Sequence, residues 1–150
     1  MNLGYACINL GLSELPKSKR ITTNRSMIRR TFDQRGLPYA SKLSLQNCQD
    51  LSRILKWNKK NGFSFFRLSS NLFPWASEYR LEELPDYHRI KQTLAFGGQI
   101  AKIHKMRITS HPGPFNKLCS SDERILLNTI KELEHHGEVF DLLGLPRFRS

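Results

Sequence analysis

Three short apolar runs, each followed by a polar loop and then by residues at helical spacing, limit how this chain can fold more than any other feature. The runs are residues 3–10, 63–68 and Arg107–Ser110, and the helical stretches cover about residues 41–60, 85–104 and 120–144. Strands alternating with helices in this way belong to a parallel sheet with helical crossovers. The links are unequal. Helix-to-strand links, at Asn61-Gly62 and Lys105-Met106, are very short, whereas the strand-to-helix links, residues 11–40, 69–84 and 112–119, are long. A parallel barrel has this asymmetry, because the face at the strand C-termini grows working loops while the opposite face only turns the chain. A doubly wound open sheet shows it too, so spacing alone leaves both architectures open.

The helical stretches carry their own signals. In the first, Asn47, Leu51, Ile54 and Asn58 share a face with Cys48 and Leu55 beside them, and Gly62 is the expected stop. The second starts near Pro85 with Asp86 favourable at that end, and Ile90, Leu94 and Ala101 mark its buried stripe. Gly97-Gly98 would weaken an isolated helix by about 1 kcal/mol each, so close packing against a neighbour is the expected reason for them. In the third, Ser120 and Glu123 have capping-box spacing, Leu126, Ile130, Leu133 and Phe140 form an apolar face, and Gly144 fits the C-terminal cap.

Charge is the strongest compositional signal. The 150 residues carry a net charge of +11, and residues 17–35 alone hold seven basic side chains, Arg25, Arg29 and Arg30 among them, against Asp33. A polyanion is the natural partner of such a segment, since each neutralised phosphate releases condensed counterion; a solvated basic loop is the plainer reading. No stretch approaches the roughly 18 apolar residues of a membrane span, and the first basic residue is Lys17, unlike a signal peptide, so an intracellular protein is expected. Cys7, Cys48 and Cys119 are odd in number and widely spaced, which argues against a disulfide framework and a thiolate zinc site.

His111, at the end of the third strand and held by Pro112-Gly113-Pro114, is the leading candidate for chemistry, as metal ligand or acid/base, with a structural imidazole as the alternative. Asn9 and Asn71 end the first two strands, where amides bond either a phosphate or base or the loop backbone. Tyr5 and Phe115 offer faces for base stacking or for packing. Trp57 and Trp75 read as packing residues, and His135 and His136, adjacent on a helix, point roughly 100° apart and cannot readily share a metal.

Five segments, in order along the chain, together resemble the UV damage endonuclease family: Leu3-Gly4-Tyr5-Ala6-Cys7-Ile8-Asn9-Leu10, Thr22-Thr23-Asn24-Arg25, Phe66-Arg67-Leu68-Ser69-Ser70, Phe73-Pro74-Trp75-Ala76-Ser77 and Thr109-Ser110-His111-Pro112-Gly113. The resemblance implies an α/β fold that is an incomplete TIM (β/α)8 barrel, with about three strand-helix units in one domain over residues 1–150, a long basic loop at about residues 11–40, and the C-terminal half-barrel absent. It implies a DNA repair endonuclease that uses divalent metal ions, manganese being the expected one, to nick double-stranded DNA 5′ of ultraviolet photoproducts. His111 matches a metal-binding histidine of the family, and Tyr5 and Asn9 match positions beside the damaged nucleotides. Asn71 stands where some members have a metal-binding histidine, and an amide is the poorer ligand. Pro114 and Phe115 replace a Gln-Tyr pair with which some relatives probe the lesion, which makes Phe115 a candidate wedge. The family's remaining ligands lie on later strands, so the fragment is expected to be inactive alone, and no catalytic residue is assigned. A sugar-isomerase-like metal barrel and a non-catalytic DNA-binding fragment are the rival readings.

Overall fold

The computed structural model describes residues 3–113 and 116–145. Three parallel strands, β1 (Gly4–Ala6), β2 (Phe65–Leu68) and β3 (Arg107–Ser110), form a sheet in the order β1-β2-β3. Gly4, Phe65 and Arg107 lie side by side in the register, and so do Ala6, Arg67 and Thr109. The helices are α1 (Leu10–Ser13), α2 (Arg29–Lys60), α3 (Tyr87–Ile103) and α4 (Glu123–Leu143); the connection from β2 to α3 folds as 3-10 turns at Ser70–Leu72, Ala76–Glu78 and Leu81–Glu83. No described helix is long and apolar enough to cross a membrane.

β3 falls on the expected residues, but β1 is shorter than its apolar run. Cys7 turns the backbone left-handed at φ 63°, and Asn9 then caps α1, so residues 7–10 leave the sheet. The basic connection is likewise not all loop. α2 begins at Arg29, twelve residues before the stretch read from periodicity, and breaks at Gly36 (φ 58°, ψ −157°) before Pro38. Glycine alone adopts that backbone cheaply, and proline suits the first turn of the helix that follows. From Ala40 onward the expected face is buried: Asn47, Cys48, Leu51, Ile54, Leu55 and Asn58 all lie inside.

The core forms where α2 and α3 cover one side of the sheet. Phe66 and Leu68 from β2 pack with Leu51, Ile54 and Leu55 of α2 and with Ile90, Leu94 and Ala101 of α3. The alternate residues point the other way, and on that face Gly4, Ala6 and Arg107 are exposed. Parallel sheets are normally covered on both faces, so half of this sheet's packing is unmade. Ile108 nonetheless packs against the core, whereas Ile8 stays 45 % exposed.

α4 departs most from its reading. Its N-cap is Asp122, whose side chain accepts from the N–H groups of Arg124 and Ile125, while Ser120 Oγ accepts from Asp122 N–H. Its buried side is the row through Thr129, Val139 and Leu143, one residue, or roughly 100°, away from the row through Leu126, Ile130 and Leu133. Ile130 and Leu133 are 39 % and 37 % exposed. Both rows hold apolar side chains, so periodicity could not choose between them. Close packing chose: Gly97 and Gly98 of α3 are buried, and Leu143 lies against both. Gly144 caps the helix at φ 64° as expected.

On the buried side of α4, His135 stands edge-on to Phe73 with ring centroids 5.3 Å apart. Burial, with repulsion from His136, lowers its imidazole from 6.5 to about 4, the Glu132 carboxylate opposing. A group whose folded pKa is depressed gives its full stability above the unfolded value and loses it as pH falls toward the folded one. Acidification from about pH 7 to about pH 4.5 should therefore cost about 2–3 kcal/mol through His135 alone. Urea titrations at both pH values check this, and His135→Phe, which keeps the ring contact, is expected to lose that part of the acid sensitivity.

Candidate nucleic-acid interface

At the end of β1 a chain of side-chain hydrogen bonds joins two residues singled out in the sequence. Asn9 Nδ2 donates to the Tyr5 hydroxyl at 2.7 Å, and that hydroxyl donates to Asn58 Oδ1 of α2 at 2.5 Å. Asn9 Oδ1 accepts from Leu12 N–H at 3.1 Å and so caps α1. Burial pushes the Tyr5 phenol up from its ordinary value, the bonds from Asn9 and Asn58 opposing. The Tyr5 ring packs edge-on to Phe63 and Phe66. Asn9 is 5 % exposed, so its amide is spent on the fold before any ligand arrives.

The basic segment is fastened to α2 by two residues whose part the sequence did not reveal. Asn47 accepts from Arg25 N–H at 3.0 Å through Oδ1, while its Nδ2 faces the carbonyls of Arg25, Asn71 and Leu72 at 3.0–3.2 Å. One buried amide thus ties the loop after β1 to the loop after β2. Three residues on, Asp50 pairs with the Arg25 guanidinium at 2.7 Å and accepts from Thr22 N–H at 3.1 Å. The available signal was a pair of polar side chains at i, i+3 beside a buried helix face. Such residues are rarely buried without partners, so something polar had to come to them.

The three candidate arginines differ in freedom. Arg25 also donates to the carbonyls of Thr22 and Arg20, at 2.6 and 2.8 Å, and is largely committed to the loop's own shape. Arg29 pairs with Asp33 at 2.8 Å and Glu78 at 3.0 Å and lies over the rings of Phe32 and Trp75. Arg30 is exposed, with no ion pair or hydrogen bond among the described residues. Trp75, as read, is a packing residue: it stacks on Phe32, and its indole N–H donates to the Met27 carbonyl at 3.0 Å. Trp57 likewise stacks on Phe63.

At the third strand end His111 is exposed. It adds to the repulsion that, with burial as the main cause, holds the His136 imidazole below its ordinary value against the pull of Glu132. Asn71 is exposed as well, its N–H bonded to Ser69 Oγ at 3.1 Å. Phe115 lies outside the described residues. A divalent ion needs several converging donors, and the described residues contain no group of three or more His, Cys, Asp or Glu that could hold one. One exposed imidazole does not make a metal centre, so the described residues alone do not fit the implied ion. A cleft of about 690 Å³ is lined by Glu78, Glu82, Glu83, Glu134 and Glu138, with Lys131 and Arg80 too few to offset them, and is a poor match for a phosphate chain.

Parallel strands alternating with helices, with a basic loop pinned at the strand ends, define an α/β protein. The comparisons go further: the model of the family described as UV-endonuclease UvdE matches residues 1–149, and the chain belongs to that family. It is 33 % identical to a putative UV-damage endonuclease of Acanthamoeba polyphaga mimivirus, over 100 % of this chain and 44 % of that protein. It is 31 % identical to the UV-damage endonuclease of Schizosaccharomyces pombe, over 95 % of this chain and 23 % of that one. The crystal structure of SacUVDE superposes with a TM-score of 0.82 at 28 % identity, covering 97 % of this chain and 46 % of that one. The chain thus spans less than half the length of these relatives.

Proposed function

We propose that this chain works as the first part of a DNA repair endonuclease that nicks duplex DNA 5′ of ultraviolet photoproducts. The observation that carries the reading is the family match over residues 1–149, to which the basic segment gives physical sense. In this reading β1 to β3 are the first strands of a TIM (β/α)8 barrel, and the exposed face bearing Gly4, Ala6 and Arg107 is turned to the barrel interior. Residues 17–35 hold the phosphate backbone through Arg25, Arg29 and Arg30, which positions the duplex without reading its sequence. Tyr5, Asn9 and Asn71 are proposed to line the side where the damaged nucleotides lie, and Phe115 is proposed as a DNA-contacting residue from its sequence position alone. His111 is proposed as one donor to a divalent ion, manganese by family resemblance, with the other donors supplied from outside the described residues. The protein is proposed to act inside the cell, where its substrate is.

Binding to duplex DNA is expected to weaken steeply with salt. On B-DNA each neutralised phosphate contributes about 0.9 to the slope of log affinity against log salt. Replacing Arg25, Arg29 and Arg30 together by Ala should flatten the slope by up to about three such contacts, and Arg30→Ala alone by about one. Arg30 is the cleaner probe, because Arg25 also neutralises the 3 % exposed Asp50. Fluorescence anisotropy across a salt series reads the effect, and an unchanged slope in the triple variant would take this segment out of the DNA interface.

A further inference from the structure

We propose that Glu132, on α4, is the positioning residue for the loop that leaves β3 past His111, and that through this loop it sets how the protein meets a photoproduct in duplex DNA; the second half of the proposal rests on the DNA-repair reading above. Glu132 Oε1 accepts a hydrogen bond at 2.5 Å from the N–H of Gly113, two residues beyond His111. A Cβ at Gly113 would lie 3.1 Å from that oxygen, so a larger residue there would push the carboxylate back by a few tenths of an ångström. One turn earlier on α4, Thr129 accepts from Lys117 N–H at 3.0 Å and itself donates to the Ile125 carbonyl at 2.8 Å. Between these two ties, Asn116 Nδ2 donates to the Gly113 carbonyl at 2.9 Å. Gly113 and Lys117 are therefore both held by one face of one helix, by side chains at i and i+3.

The composition of that face supports the assignment. Toward its C-terminal end the buried row of α4 is apolar, with Val139 and Leu143; at Thr129, Glu132 and His136 it turns polar. A helix that only covered a sheet would gain nothing from the change, because buried polar groups are costly unless bonded. Here the polar groups meet loop N–H groups that have no strand partner. The bond from Gly113 is to a carboxylate, roughly twice as strong as a neutral one, and His136 Nε2 lies 3.8 Å from the same oxygen. The backbone N–H also draws the negative charge of Glu132 toward the loop, which spares a DNA-facing segment an open carboxylate.

The test uses the whole chain, as the unmodified protein and as Glu132→Gln, Glu132→Ala and the control Glu134→Gln. In 15N-labelled protein the Gly113 amide proton is expected far downfield. It should move upfield in Glu132→Gln and further in Glu132→Ala, with solvent exchange faster by roughly tenfold or more in the alanine variant. The ratio of affinities for irradiated over intact duplex should fall toward one in Glu132→Ala and be partly restored by Gln, which keeps an acceptor; Glu134→Gln should change neither readout. An unmoved Gly113 amide in Glu132→Ala overturns the positioning role, and so does a moved amide with an unchanged ratio. If the unmodified chain does not prefer irradiated DNA, the DNA-repair reading fails, while the amide still decides whether Glu132 holds the loop.

Discussion

Irradiated duplex DNA is expected to stay uncut when the 150-residue polypeptide is its only protein partner, with manganese present and binding saturated. The reason is structural. On the proposed reading three strands cannot close a barrel that takes eight, and the sheet here has one face covered by helices while Gly4, Ala6 and Arg107 on the other are exposed. Leu3 at 57 %, Ile8 at 45 % and Leu127 at 51 % exposed show apolar surface that a fuller packing would remove from water. Each such side chain gives up part of the roughly 1.5–3 kcal/mol that full burial would provide. The chemistry is as incomplete as the packing, since the described residues hold no group of three or more His, Cys, Asp or Glu that could bind a metal ion. Binding is a different matter, because on the proposed reading phosphate contacts need only the basic segment. Retarded but intact DNA in a gel assay is the expected pattern. Supplying the C-terminal half of a relative in trans is expected to restore cutting, and His111→Ala should then abolish the restored cutting while leaving much of the salt-sensitive binding. Efficient metal-dependent incision by a monodisperse monomer of this polypeptide alone would overturn the reading.

How much of this could be read from the residues differs by element. β3 and the buried face of α2 agree with the sequence because β3 is bounded by the short link at Lys105-Met106 and by His111-Pro112, and α2 carries a single stripe through Leu51 and Ile54. α4 did not, since it carries apolar side chains on two adjacent rows and only the docking against Gly98 picks one. The first turns of α2 were hidden for a related reason. Residues 29–35 are mostly charged or polar, and their helix is held by the Arg29–Asp33 pair and by Phe32 stacking on Trp75, partners 43 positions away in sequence. At the site, residue types were legible but their commitments were not. Asn9 reads in the sequence either as a partner for a phosphate or base or as a partner for the loop backbone, and only the fold shows that it caps a helix and bonds Tyr5. Asn47 was read as part of a buried face, which it is, while its four-way bonding to Arg25, Asn71 and Leu72 required knowing which loops pass over it. Side-chain spacing along one helix carries no information about a loop arriving from elsewhere.

Gly98→Ala is expected to be among the most damaging single methyl groups that can be added to this fold. Gly98 is buried on α3, and a Cβ built there would overlap the carbonyl oxygen of Leu143 and lie 2.7 Å from its carbonyl carbon. These are backbone atoms of the last residue of α4, held by the Gly144 cap, so no rotamer change can make room. The whole C-terminal turn of α4 has to back away from α3, taking Leu143 and Val139 out of the core. Overpacking of this kind costs about 1–3 kcal/mol and more when the backbone itself must move, and the helix propensity gained, about 1 kcal/mol, offsets only part of it. A net loss of about 3 kcal/mol is a large share of a domain stability of roughly 5–15 kcal/mol. Its neighbour is the control. A Cβ at Gly97 would meet Ser52 Oγ at 3.4 Å, the movable end of a side chain, so Gly97→Ala should be close to neutral or slightly stabilising. The damage should also travel. α4 carries Thr129 and Glu132, which hold Lys117 and Gly113, so loosening its far end in Gly98→Ala should speed exchange at the Gly113 amide and blur the position of His111. Urea midpoints for the two alanine variants and the exchange rate at Gly113 measure both effects. Equal stability of Gly98→Ala and Gly97→Ala would mean that α4 does not dock on α3 as described.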